Sequence, residues 1–236
     1  MSSTPLTPLS RLPHFDPRTV PVLGIDAHLP AVKPDRLTPN ALRARFADPP
    51  QWEAEFMREI KFADRESAYA AVLVPLVMRG VNRDQPTVLL TERTTHLSTH
   101  SGQIAFPGGK TDDTDADAAA TALREAYEEV GLEARHVDII GTLPVYVTGT
   151  SFIITPVVAL VEPELVLTLN AYEVADVFEV PLAFVMNPAH HHRHAFEWEG
   201  VRREWLSMPY QDGASQRFIW GATAGMLRNL YRLLIA

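Results

Sequence analysis

Three glutamates in one segment have the spacing of a divalent-metal site. Glu125, Glu128 and Glu129 stand at positions i, i+3 and i+4, so on an α-helix they project from one face. Like charges at such positions repel by about 0.2–0.5 kcal/mol per pair, and a cation removes the conflict. Mg²⁺ prefers hard oxygen ligands and leaves positions for water and phosphate. The alternative is a solvent-exposed, charged helix face in which Arg124 forms an ion pair with Glu128. The glycine turn Gly108-Gly109 upstream favours a metal and pyrophosphate site.

A short helix must position these glutamates. The pattern predicts it over residues 115–130, with Thr114 as the N-cap and with Asp115 and Asp117 in the first turn, where the helix dipole favours negative charge. Gly131 suits the position just after the C-terminus. Apolar residues repeat at helical spacing on another face, which is therefore the core face: Ala119, Ala122, Leu123, Ala126 and Val130.

Residues 124–132, REAYEEVGL, resemble the second half of the Nudix box, G-x5-E-x7-R-E-U-x-E-E-x-G-U, in which U is apolar. This half matches at every fixed position. In the first half, the box glycine falls on Lys110, and the first box glutamate falls on Ala116, beside Asp115. The resemblance implies an α/β fold, a Nudix-type α/β/α sandwich with a mixed sheet. It also implies a pyrophosphohydrolase that uses Mg²⁺ or Mn²⁺.

The same resemblance suggests roles for individual residues. Glu125 and Glu129 are the expected metal ligands, and Glu128 is a third ligand or the partner of Arg124. The expected catalytic set is Glu128, Arg124 and Glu173, where Glu173 lies outside the box and is the candidate general base. The alternative for Glu173 is a turn residue before an apolar strand or helix.

Two further segments resemble the signature of the coenzyme A pyrophosphatase branch of this family. They are LLTER at residues 89–93 and GQIAFPGG at residues 102–109. That branch cleaves coenzyme A to 3′,5′-ADP and 4′-phosphopantetheine. The expected substrate-binding residues are Arg93, His100, Gly108 and Gly109.

One departure keeps other functions open. The basic residue of the branch signature falls on Ser98, although His96 and His100 lie close by. The alternatives are a Nudix hydrolase of ADP-ribose, a dinucleotide or a nucleoside triphosphate, and a non-catalytic Nudix domain that senses a ligand.

Composition agrees with a soluble enzyme, and the resemblance implies a small-molecule nucleotide as its substrate. The chain has 236 residues, 46% of them hydrophobic, and a net charge of −8, which argues against nucleic acid or an anionic membrane as the main partner. It has no cysteine, which excludes disulfides and a thiol nucleophile. Because no apolar run reaches about 20 residues, we expect no membrane span and a cytoplasmic location. The resemblance leaves a homodimer open as the assembly.

The expected organisation is an N-terminal extension, residues 1–66, followed by a Nudix hydrolase domain, residues 67–236. The proline-rich residues 1–34 read as an extended arm, and residues 40–47 as a short helix. Residues 190–194, HHHRH, read as an exposed loop rather than a metal site. Predicted strands cover 70–78 (with Pro75 at a bulge or sheet edge), 88–91, 103–106, 137–146, 151–161, 196–198 and 201–205, and a last helix covers 219–234.

Overall fold

Two β-sheets and four α-helices make up the part of the chain that the structure describes. The computed structural model describes Leu12 and residues 15–60, 66–95 and 102–236. The helices are α1 (Pro39–Ala47), α2 (Ala118–Val130), α3 (Leu182–Val185) and α4 (Gly221–Ile235). The strands are β1 (Val22–Ile25), β2 (Ala68–Val77), β3 (Thr87–Arg93), β4 (Ile104–Ala105), β5 (Gly108–Lys110), β6 (Val137–Thr142), β7 (Tyr146–Val147), β8 (Phe152–Val161), β9 (Val174–Pro181), β10 (His192–Trp198), β11 (Val201–Asp212) and β12 (Ser215–Trp220).

The larger sheet is mixed and contains β2 to β9. Strands β2 and β8 run parallel over ten paired positions, and the other pairs are antiparallel. Strands β2 and β3 pair only at Leu76–Val88 and Val77–Thr87 and then diverge. Strand β4 pairs with β3 and strand β5 pairs with β2 in the fork between them. This fork holds the glycine turn in the middle of the sheet.

Helices cover both faces of this sheet. Helix α2 buries Ala122, Ala126 and Val130 against Ala71 and Leu73 on one face. Helix α4 packs its apolar side on the opposite face, together with α1 and the second sheet. The α/β/α sandwich with a mixed sheet is therefore confirmed.

Pro75 lies in a central strand, so the predicted bulge or edge position is wrong. Its backbone nitrogen points to the same side as that of Leu73, because side alternation along a strand has a period of two. On that side Leu73 donates to Pro107 O, and the described pairing of β2 resumes only at Leu76. Proline is tolerated because its missing N–H faces the fork between the two partner strands.

The smaller sheet is antiparallel, with the order β1-β10-β11-β12. Strands β10 and β11 form the predicted hairpin. Its turn residues Glu199 and Gly200 both have positive φ, 52° and 73°, as a tight hairpin turn requires. The predicted last helix begins two residues later than expected, at Gly221, because Ile219 pairs with Met208 in this sheet.

The N-terminal segment packs on the rest of the chain. Val32, Leu37 and Leu42 are buried in the core that contains α4. Val32 N donates to Met186 O, and Tyr231 Oη donates to Pro30 O. The described part of residues 1–66 thus contributes strand β1, helix α1 and core side chains. The division at residue 66 stays a prediction about domain organisation.

The histidine run does not form the exposed loop that its composition predicted. His191 and His194 are buried, and β10 begins at His192. His191 Nδ1 accepts a hydrogen bond from Arg228, and burial lowers the pKa of this imidazole to about 4. The ring is therefore neutral at physiological pH and serves as a hydrogen-bonded core residue.

Arg228 and Arg193 belong to a partly buried ionic cluster, which we call the Asp26 cluster. Asp26 accepts two hydrogen bonds from Arg193, at 2.7 and 2.8 Å, and lies 3.1 Å from Arg228. Glu55 binds the same two arginines, each at 2.7 Å. The cluster ties the N-terminal segment to β10 and to α4.

No helix within the described ranges is both long and apolar enough to cross a membrane.

Candidate active site

Helix α2 carries the predicted metal ligands beside the glycine turn. It begins at Ala118, because Asp117 is the N-cap and accepts a hydrogen bond from Ala120 N at 2.8 Å. The predicted cap at Thr114 is therefore wrong: Thr114 instead donates to Asp112 in the preceding loop. Gly131 ends the helix in the left-handed conformation, with φ 71°, as predicted.

Glu129 is buried at the centre of the site. Gly108 N donates to Glu129 Oε2 at 3.2 Å, and Arg93 Nη1 lies 3.5 Å from Oε1. Burial raises the pKa of Glu129 to about 7, although Gly108 and Arg93 act against the shift, and the charges of Glu125 and Glu173 raise it further. A carboxylate that is costly to ionise in the protein alone is well placed for a cation.

Glu125 lies against the second glycine of the turn. A Cβ atom at position 109 would come within 2.5 Å of the Glu125 carboxylate, so only glycine leaves room for it. Burial raises the pKa of Glu125 too; Arg124 opposes the shift, while the charges of Glu128 and Glu173 add to it. The glycine turn therefore serves as a close wall for one glutamate and a backbone donor for the other.

Arg124 holds the loop between the turn and the helix. It binds Asp115 at 3.0 and 2.9 Å and donates to Lys110 O at 2.9 Å. It also reaches Glu125 at 2.8 Å and Glu128 at 3.3 Å. The hydrogen bonds from Arg124 hold the pKa of Asp115 well below its usual range.

The sequence pattern does not reveal the pairing of Asp115 with Arg124. The pattern predicts Asp115 in the first helical turn, yet it lies in the loop, where Thr121 also donates to it at 2.9 Å. Its position beside Ala116, where the box pattern has a glutamate, was the available signal. Glu128 is more than half exposed and contacts Arg124, which favours the pairing role over that of a third metal ligand.

Glu173 comes to the same site from the far side. It immediately precedes β9, and its carbonyl oxygen accepts from Thr94 N at 3.0 Å, one residue after Arg93. Its charge contributes to the raised pKa values of both Glu125 and Glu129. Three of the predicted carboxylates therefore act on one another across a shared space.

Some predicted residues are not in this group. His100, with His96 and Ser98, lies outside the described residues, so its place in the site stays a prediction.

The donor set fits a divalent cation. Within the described ranges, no three His, Cys, Asp or Glu side chains already converge closely enough to form a metal cage. A closed cage is not what Mg²⁺ needs, since it binds through one or two carboxylates and completes its shell with water and substrate oxygens. Glu125 and Glu129 supply such a pair, and burial leaves their negative charge poorly solvated.

Comparison with known proteins shows the family of the chain. The family model described as NUDIX domain matches residues 69–205. "Uncharacterized Nudix hydrolase NudL" of Escherichia coli (strain K12) is 46% identical over 162 residues, which are 68% of this chain and 80% of that protein. The protein of the same description from Enterobacter sp. (strain 638) has the same identity and coverage.

Solved structures with partial similarity include a C. elegans Ap4A hydrolase binary complex, at 20% identity and a TM-score of 0.41. It aligns with 52% of this chain and 85% of its own. The NUDIX domain of Shewanella oneidensis NrtR complexed with ADP ribose has 21% identity and a TM-score of 0.39, and aligns with 52% and 77% of the two chains.

The chain belongs to the Nudix hydrolase family. It is a pyrophosphohydrolase, an enzyme of a family that acts on nucleoside diphosphate derivatives and generally uses divalent metal ions.

Proposed function

We propose that this Nudix hydrolase cleaves coenzyme A or its derivatives at the pyrophosphate. The observation that carries the proposal is where the coenzyme A branch signature lies in the fold. Its LLTER segment is most of strand β3 and ends at Arg93, which faces Glu129. Its GQIAFPGG segment ends at Gly108 and Gly109, which touch Glu129 and Glu125. The substrate signature and the carboxylates therefore surround one space.

In this proposal Glu125 and Glu129 hold Mg²⁺ or Mn²⁺. When bound, such an ion would supply neutralisation of the pyrophosphate charge and would make a water molecule more acidic. Arg93 gives the site a positive charge beside Glu129 for a substrate phosphate. Arg124 keeps the loop in place through Asp115 and the Lys110 carbonyl.

Glu173 is the general base. Its carboxylate accepts a proton from the attacking water, whose oxygen forms a bond to phosphorus while the bridging P–O bond breaks. The two products are 3′,5′-ADP and 4′-phosphopantetheine, and together they contain the atoms of coenzyme A and one water. Position favours Glu173, because it immediately precedes β9 and its charge acts on both glutamates of α2.

The test is incubation of the pure protein with Mg²⁺ and coenzyme A in H₂¹⁸O, with products identified by mass. We expect both products, with one ¹⁸O atom in only one of the newly freed phosphates. The Glu129→Gln variant is the control for a contaminating hydrolase.

ADP-ribose, a dinucleotide and a nucleoside triphosphate complete the substrate panel, because Ser98 replaces the usual basic residue of the branch. A kcat/KM for any of these compounds that exceeds the value for coenzyme A would overturn the substrate assignment. It would leave the metal-site assignment intact, since that depends on the glutamate variants.

A further inference from the structure

The turn before β9 is built around Asn170. The backbone N–H groups of Glu173 and Val174 both donate to Asn170 O, each at 2.9 Å. The Asn170 side-chain oxygen accepts from Tyr172 N at 3.2 Å, which closes a second turn within the same four residues. The backbone of Glu173 is therefore fixed by one residue three positions earlier.

The Asn170 amide also reaches the Glu173 side chain. Its Nδ2 donates to Glu173 Oε1 at 3.3 Å. Because Oδ1 is already turned toward the Tyr172 N–H, the NH₂ group is the part of the amide that faces the carboxylate. Asparagine suits this position because it offers an acceptor to the turn and a donor to the glutamate at once.

Asn170 is anchored to the helix that carries the other glutamates. Its backbone N–H donates to the carbonyl oxygen of Glu129 at 2.9 Å, and Thr168 N donates to Val130 O at the same distance. One residue thus contacts the backbone of one active-site glutamate and the carboxylate of another. This contact sets the position of Glu173 relative to α2.

Glu173 needs such a donor. It is partly exposed, and its charge is repelled by those of Glu125 and Glu129, so repulsion alone would turn its side chain toward solvent. A hydrogen bond to a charged group is stronger than one between neutral groups, so it favours one side-chain orientation over another by roughly tenfold.

We infer that Asn170 is a positioning residue, which holds the carboxylate of Glu173 toward the glutamate face of α2 so that it can take the proton of the attacking water. This inference rests on the proposed function, in which Glu173 is the base. In this role Asn170 acts on the reaction through Glu173 alone.

The experiment measures kcat, KM and Mn²⁺ affinity for four variants: Asn170→Ala, Asn170→Asp, Glu173→Gln and the double variant Asn170→Ala/Glu173→Gln. Asn187→Ala is the matched control, because Asn187 makes the same type of turn contact, from Ala189 N at 3.1 Å, away from the glutamates. Thermal melting reports whether each variant is folded.

We expect Asn170→Ala to lower kcat by about 10-fold to 100-fold, with KM and Mn²⁺ affinity within about twofold, as for loss of orientation of a general base. Asn170→Asp keeps the acceptor for the turn but loses the NH₂ donor, so it should be as slow as Asn170→Ala despite near-normal stability. In the Glu173→Gln background, Asn170→Ala should cause little further loss, because the two residues act as a unit.

Several results would overturn the inference. Restored kcat in Asn170→Asp would show that Asn170 serves only the turn. Full additivity of the two losses in kcat would show that Asn170 does not act through Glu173. A low kcat in Glu173→Gln with a normal kcat in Asn170→Ala would refute the positioning role alone. Normal turnover in Glu173→Gln would refute the base assignment as well. This result therefore separates failure of the proposed mechanism from failure of the positioning role alone.

Discussion

The same substitution should affect activity at one glycine of the turn and stability at the other. At position 109 an added methyl group would lie 2.5 Å from the carboxylate carbon and both oxygens of Glu125, whereas ordinary contacts begin at 3.4 Å. The carboxylate is the far end of a flexible side chain, so it can retreat by about 1 Å. A displacement of that size at a reacting centre costs about 100-fold in rate. We therefore expect Gly109→Ala to lower kcat by about 100-fold.

Stability should hardly change in Gly109→Ala. Replacing glycine by alanine at a compatible backbone conformation gains about 0.4–1 kcal/mol by restricting the unfolded chain, which offsets the cost of moving one side chain. At position 108, by contrast, the added methyl group would meet the backbone of Ala71 at 2.5 Å and of Val72 at 2.6 Å. Because a central strand cannot yield like a side chain, we expect Gly108→Ala to lose about 1–3 kcal/mol.

The assay combines turnover, Mn²⁺ titration and thermal melting for both variants. Gly24→Ala is the control, since a methyl group there would meet nothing within 4 Å. Near-normal kcat in folded Gly109→Ala would refute the assignment of Glu125 to the metal site. A loss of activity that simply follows a loss of thermal stability would refute it too.

Three further predictions concern charge. Since burial raises the pKa of Glu129 to about 7, ionising this side chain destabilises the metal-free protein as pH rises from about 4.5 through 7. Glu129→Gln should therefore abolish turnover yet raise the melting temperature more at pH 8 than at pH 5. Equal shifts of the melting temperature at the two pH values would contradict this prediction. Asp26→Ala should lose about 1–3 kcal/mol in denaturant unfolding at pH 7, because it removes one of the two carboxylates beside buried Arg228 and leaves only Glu55. Burial opposes ionisation of Asp26, but the hydrogen bonds from Arg193 and the charges of both arginines hold its pKa below the usual value. The difference in unfolding free energy between wild type and Asp26→Ala should therefore shrink as pH falls below about 4. A difference that is independent of pH would contradict this prediction. Ser98→Arg should raise kcat/KM for coenzyme A about tenfold more than for its 3′-dephosphorylated form. The reason is that a charge-assisted contact to a desolvated phosphate contributes about 1.5–3 kcal/mol. No gain in kcat/KM for either compound in a folded variant would contradict this prediction.

The helix of the site could be predicted because its signals are local. The glutamate spacing and the apolar stripe lie within one helix and depend on a period of 3.6 residues, and Gly131 marks the end of that helix. The start of α2 was misplaced because Thr114, Asp115 and Asp117 are all residues that cap helices. The choice among them depends on Arg124, which draws Asp115 out of the helix and into an ion pair.

Long-range contacts explain the other differences. Five polar residues in a row suggest a loop, yet His191 and His194 face the core because Arg228 and Ser207 offer them hydrogen bonds from distant parts of the chain. Similarly, a proline in a strand suggests an edge. At Pro75 that rule fails because the neighbouring strands diverge there, and no sequence pattern reports where two strands separate.

The packing of the N-terminal segment has a consequence for synthesis of the chain. Val32 N donates a hydrogen bond to the carbonyl oxygen of Met186. Arg36 donates one to the carbonyl oxygen of Leu234, almost two hundred residues later. A ribosome adds about 5–20 residues per second, so roughly 10–40 s pass between the emergence of this segment and that of its partners. During that interval Leu37 and Leu42 have no α4 to cover them. The nascent chain therefore offers chaperones an early apolar segment, and its final folding step must await translation of the last helix.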